Sequence, residues 1–124
     1  MAAVFTKVKL SGSTVGRQIK VVATSTPGTT IHATGTSSTT IDELWLYAVN
    51  SDTTDRKLTI EFGGATSPDD LMELTIPAES GLVCVVPGLM LTGTGAAATT
   101  TAAFCATANV VMVSGFVNRI SGQS

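Results

Sequence analysis

His32 is the single histidine of the chain, so any chemistry that needs an imidazole must run through it. A Ser-His-Asp arrangement requires only one histidine, but no Gly-x-Ser-x-Gly elbow is present to expose a nucleophilic serine. His32 sits in the short run TTIHA, among threonines, and reads as a polar strand residue. A transition-metal site asks for several His or Cys ligands at close spacing. One histidine and two distant cysteines, Cys84 and Cys105, do not supply them. Asp52 with Asp55, or Asp69 with Asp70 and Glu73, could hold a hard cation weakly. Such ions want roughly six to eight oxygens, and neither run follows EF-hand spacing. Capping of turns accounts for the same acids. Paired carboxylates across a groove would serve glycoside cleavage, but the sequence pairs none and has few aromatics to line a groove. Trp45 and Tyr47 could form a small sugar-stacking platform. A core or subunit-contact role is preferred, because aromatics are favoured at buried interface centres. Trp45, Tyr47 and Phe116 are therefore the candidate interface residues. Residues 93–98 (GTGAAA) match the loose form G-x-G-x-x-A, but a poor helix follows and no acid occurs after Glu79. A dinucleotide fingerprint needs both, so the match is accidental. No catalytic residue, metal or cofactor is expected, and the chain is expected not to be an enzyme.

The elements that position these residues read as strands. The stretch 39–87 holds four short apolar segments separated by SDTTD, GGATSPDD and PAESG. Those separators supply positive φ (Gly), fixed φ (Pro) and local capping (Asp, Ser). The segments are too short for ordinary helices and are rich in Leu, Ile, Val, Tyr and Trp, so they read as consecutive antiparallel strands. Residues 41–50 are apolar on both faces: Leu44, Leu46 and Ala48 point one way, Trp45, Tyr47 and Val49 the other. One set meets the facing sheet and the other a loop or another subunit; the sequence leaves open which. Residues 57–62 alternate, with Leu58, Ile60 and Phe62 opposite Thr59 and Glu61, the pattern of a sheet with one wet side. Residues 71–76 read as a strand with Met72, Leu74 and Ile76 inward; a helical turn over 68–73 is the alternative. Residues 81–86 form a strand that Pro87 and Gly88 interrupt before 89–92, by a bulge, a kink or a change of sheet.

Further strands fall at 4–10, 18–24, 29–33, 102–106 and 109–120, with a bulge at Gly115 the expectation for the last. Strands at this regular spacing predict an all-β fold: one antiparallel β-sandwich domain over 1–124, jelly-roll-like, of about eight to nine short strands. Residues 1–16 and 93–101 are candidate interacting arms or loops.

Composition narrows the function classes. Hydrophobic residues make up 44% of the 124, and charged residues only 13%, against roughly 25% in ordinary soluble domains. Either much of the surface is covered by other subunits, or threonine serves as the outward strand residue. The net charge is −2 and no basic run occurs, so direct nucleic-acid binding is not expected. Lys7, Lys9, Arg17 and Lys20 make the N-terminal part locally basic and read as outward residues of edge strands, where lysine deters unwanted pairing. No signal peptide is read in MAAVFTKVKLSG, and the longest apolar run, 82–91, falls short of the roughly 20 residues of a membrane span. Cys84 and Cys105 lie in apolar surroundings and are expected as free thiols, with a disulfide open only if their strands are neighbours.

The segments DELWLYAVNSDT, KLTIEFGGATSPDDLMELTIPAESGLVCVVPGLML and ANVVMVSGFVNRI, within 41–120, resemble small structural proteins of tailed bacteriophages, in particular capsid decoration or cement proteins. The phrases EFGG, PDDL, TIPAESG, VVPG and GFVNRI carry the likeness, and none is a catalytic signature. The resemblance implies a β-rich, oligomeric virion component on the outer capsid surface, assembled in the host cytoplasm, without a cofactor. Its implied partners are the major capsid protein and itself, as a homotrimer at three-fold positions or a homodimer at two-fold ones. It transfers no site residue. A tail, adaptor or fibre-associated role, or a carbohydrate-binding module on the virion, are the alternatives.

Overall fold

A computed structural model describes residues 3–121. Among them are nine strands: β1 (Val4–Lys9), β2 (Ile19–Lys20), β3 (Thr29–Ala33), β4 (Ile41–Asn50), β5 (Arg56–Phe62), β6 (Leu71–Ile76), β7 (Val83–Leu91), β8 (Thr100–Cys105) and β9 (Val111–Ser121). They pair antiparallel in nested fashion: β2 with β9, β3 with β8, β4 with β7 and β5 with β6. This is one long hairpin rolled on itself. Rolling closes two sheets through β4–β9 and β5–β8, giving the orders β1-β9-β4-β7, with β2 also on β9, and β3-β8-β5-β6. The result is the expected β-sandwich with jelly-roll connectivity.

The core is aliphatic. Leu44, Leu46 and Ala48 from β4 meet Leu58 and Ile60 from β5, with Ile31, Val86, Val111, Val113 and Val117 around them. Each fully buried side chain of this kind contributes about 1.5–3 kcal/mol by leaving water. The open question about β4 is thereby settled. Its leucine face is the core, and Trp45, Tyr47 and Val49 are half-buried on the outer face of the five-stranded sheet.

Other expectations need correction. The expected wet side of β5 is wet only at Lys57, for Thr59 and Glu61 are as buried as their apolar neighbours. The loop at 24–28 covers that face: the Thr26 hydroxyl donates to the Glu61 carboxylate, and the Gly28 N–H donates to its Oε1 at 2.8 Å. β7 is not interrupted at Pro87 and Gly88. It runs on as one strand with register shifts against β4, so the break is a bulge. Pro87 fits because β7 is an edge strand whose missing N–H owes nothing to a ladder. Residues 67–70 form a turn and the strand begins at Leu71, which removes the helical alternative. Cys84 is exposed on β7 and Cys105 buried on β8 in the other sheet; both thiols are free, and only Cys105 serves as a small core hydrophobe. The segment after β7 is pinned rather than extended. The N–H groups of Gly93 and Gly95 donate to the Ser37 and Thr36 carbonyls at 2.9 and 2.7 Å, and the Thr99 hydroxyl donates to the Thr92 carbonyl at 2.7 Å.

Gly115 decides whether β9 can lie along β4. Its φ is 149°, and a Cβ there would fall 1.9 Å from the Trp45 carbonyl oxygen. Gly115→Ala is expected to cost about 2–4 kcal/mol, because backbone rather than a movable side chain stands in the way. Chemical denaturation measures it; a loss within 0.5 kcal/mol, about the scatter of surface substitutions, would contradict the crossing geometry.

Candidate functional site

Two constellations bring polar or aromatic side chains together. The first surrounds His32. Strict alternation would turn His32 away from Ile31, yet both are buried, because β3 shifts register against β8 between Thr30 and His32. His32 is the polar strand residue expected, and a bulge buries it. The Ser11 N–H donates to His32 Nδ1 at 3.0 Å, so the ring proton sits on Nε2, which donates to Asp42 Oδ2 at 2.7 Å. Arg119 on β9 grips the same carboxylate with both prongs, Nε to Oδ1 at 2.8 Å and a terminal nitrogen to Oδ2 at 2.9 Å. Burial pushes the Asp42 carboxyl up, but the Arg119 hydrogen bonds and then that of His32 outweigh it and hold the group below its ordinary value. The Asp42 hydrogen bond in turn pushes Arg119 up against its own desolvation.

This is a clamp rather than a proton relay. Both ring nitrogens of His32 are engaged, and the residue is 1% exposed. The nearby serines are committed elsewhere: Ser11 Oγ accepts the Ala33 N–H at 2.7 Å, and Ser13 Oγ donates to the Arg17 carbonyl at 2.6 Å. Of the other acids singled out by sequence, Asp52, Asp55 and Asp70 hold turns, and Glu73 pairs with Lys57. Asp52 grips Arg56, whose hydrogen bond first and the Thr53 N–H second hold it low. Asp55 and Asp70 accept the Ala78 and Thr66 N–H groups. Among the described residues no group of three or more His, Cys, Asp or Glu side chains is placed to hold a metal ion. The G-x-G-x-x-A match leads into strand β8, not a helix.

The second constellation is the outer face of the five-stranded sheet. Trp45 lies directly opposite Phe116 across the β4–β9 ladder, and their rings are near-parallel, 6.3 Å apart at an interplanar angle of 11°. Tyr47, two residues along, faces the same way opposite Ser114. Lys7 on β1 places its ammonium 4.7 Å from the Phe116 ring centre, a cation–π contact. Glu43 accepts the Trp45 Nε1–H at 2.7 Å and the Asn118 amide at 3.0 Å. The Asn118 bond, then the Trp45 bond, keep the Glu43 carboxyl below its ordinary value. Gly88 completes the seat, since a Cβ there would come within 2.8 Å of the indole. Around this fixed cluster stand exposed apolar side chains, Phe5 at 72% and Met90 at 61%. The structure thus brings Trp45, Tyr47 and Phe116 onto one face. Sequence reasoning missed Glu43, Asn118 and Lys7. Only Glu43 left a local sign, two residues from Trp45 on a strand and hence on its face.

Compared with family models, with curated proteins and with solved structures, the chain matches none. The fold assignment therefore rests on strand order and register alone.

Asp42 yields a signed prediction. Its lowered pKa adds stability that is whole above the unfolded carboxylate value, near pH 4, and is lost as pH falls through the folded value. Asp42→Asn is expected to destabilise by about 3 kcal/mol at neutral pH, since it strands Arg119 and His32. It should also flatten the fall in Tm between about pH 5 and pH 2, leaving the smaller slope from Glu43 and Asp52. Thermal melts across that range check both; an unchanged slope would contradict the assignment.

Proposed function

We propose that this chain is a non-enzymatic virion structural protein, a capsid decoration or cement protein that clamps neighbouring major capsid proteins from the outer surface of the shell. The observation that carries this reading is the outer face of the five-stranded sheet. There Trp45 and Phe116 are held rigid by Gly88, Glu43 and Lys7, amid exposed Phe5 and Met90. Fixed aromatics lose little entropy on docking and make good interface centres. The resemblance of residues 41–120 to phage structural proteins supports the same reading. So does the low charge.

The mechanism is mechanical. A cement protein adds contact area across joints that the packaged genome loads. Each copy contributes a modest interface, and an oligomer that engages several joints together multiplies modest affinities. A tail, adaptor or fibre-associated position would use the same face in the same way, and the location of the protein on an assembled particle separates the two.

Met90→Lys, at an exposed position that the fold does not need, is expected to lower occupancy on particles at least tenfold while leaving the melting temperature within about 2 °C. Trp45 is the only tryptophan, so its emission reports directly on this face and should shift blue as particles bind. Full occupancy by Met90→Lys with no change in Trp45 emission would overturn the reading. Glycan binding that vanishes in Trp45→Ala, with no affinity for particles, would replace it with the carbohydrate-binding alternative.

A further inference from the structure

All nine Asp and Glu residues lie between Asp42 and Glu79, and Lys7, Lys9, Arg17 and Lys20 precede every one of them. The rolled topology turns this separation along the chain into separation in space. β1 and β2 share one edge of the five-stranded sheet, and β1 leads into a loop bonded to β3 through Gly12 and Ser11. β6 is the opposite edge of the other sheet, on the side of β4. One flank of the sandwich is therefore cationic and the other anionic. Among the described residues, Lys7, Lys9, Arg17 and Lys20 form no ion pair. On the far flank Asp55, Asp69, Glu73 and Glu79 are exposed. Their one lysine pair, Lys57–Glu73, is 63% and 56% exposed and so contributes little.

Both flanks also end in a strand paired on one side only, β1 on β9 and β6 on β5. Like edges repel: β1 against β1 sets lysine near lysine, and β6 against β6 sets acid near acid. We infer that copies of this chain associate head to tail, the β1/β2 edge of one against the β6 edge of the next. An antiparallel register with Lys7 opposite Glu73 also sets Val8 opposite Met72 and Val4 opposite Ile76. Lys7 and Glu73 then share the outer face, and Val4, Val8, Met72 and Ile76 the inner. The contact is heterologous, and it closes into a ring when the rotation per copy divides a full turn. It uses the sheet edges, where the capsid reading uses the outer sheet face; Lys7 lies on both, so the test leaves it in place.

Sedimentation velocity at about 100 μM protein, in about 50 mM and about 500 mM salt, tests it. The wild-type chain should sediment above its 12.6 kDa monomer at low salt and dissociate at high salt. Lys9→Glu with Lys20→Glu, and separately Asp69→Lys with Glu73→Lys, should each weaken association at least tenfold while circular dichroism stays unchanged. These positions are exposed, so the fold does not depend on them. Mixing the two variants should restore a heavier species, because each then offers the edge that the other lacks. A wild-type monomer at low salt overturns the inference, as does association that ignores either reversal. It is equally overturned if both variants are monomeric and their mixture stays so. A monomer that still loads onto particles would leave the proposed function standing.

Discussion

The sandwich depends on how β4 is held between its two polar ends. Ten residues long, it is paired to β9 along its whole length and to β7 on the other side. Its inward face runs Asp42, Leu44, Leu46, Ala48, Asn50, all buried. The apolar middle drives the sheets together but does not say how they align, because aliphatic contacts have no direction. The ends do. Asp42 reaches His32 on the opposite sheet, and Asn50 donates to the Ile76 carbonyl at the end of β6 at 3.0 Å. A slip of one sheet over the other would leave a buried carboxylate or amide without partners, which costs far more than shifting a methyl contact.

The same strand explains why the outer face can be functional. Because β4 is central and stiff, residues alternate to a fixed outer surface, and Trp45 is seated by groups from three strands: Gly88 on β7, Phe116 on β9 and Glu43 on β4 itself. The edge strand β1 adds Lys7 over Phe116. An aromatic cluster fixed this way presents area to a partner without first having to be ordered.

Much of the fold was legible because it is written in period two. The strands of the 39–87 stretch, their turns, the two alternating sets of β4 and the inward set of β6 all follow from local alternation and turn residues. The errors fall where the local rule is broken by something distant. Glu61 looks outward in RKLTIEF and is outward, yet buried, because the loop at 24–28 folds over it. His32 reads only as a polar strand residue, and it is buried by a bulge that only the pairing with β8 creates. The candidate aromatics Trp45 and Tyr47 were visible as a pair on one strand. Phe116 met Trp45 only once β9 paired with β4.

Residue order alone was enough for the class of structure and for the want of a recognisable catalytic motif. Short alternating apolar segments with Gly, Pro and Asp between them allow little but an antiparallel sheet protein. The folded chain was needed to show which face of β4 is core, and that Asp42, His32 and Arg119 form one buried clamp. It alone separated the charges to opposite flanks. The reason is one of range: alternation and turn chemistry act over a few residues, whereas the clamp joins positions 77 apart in the chain, Asp42 and Arg119, that meet only after the hairpin has rolled.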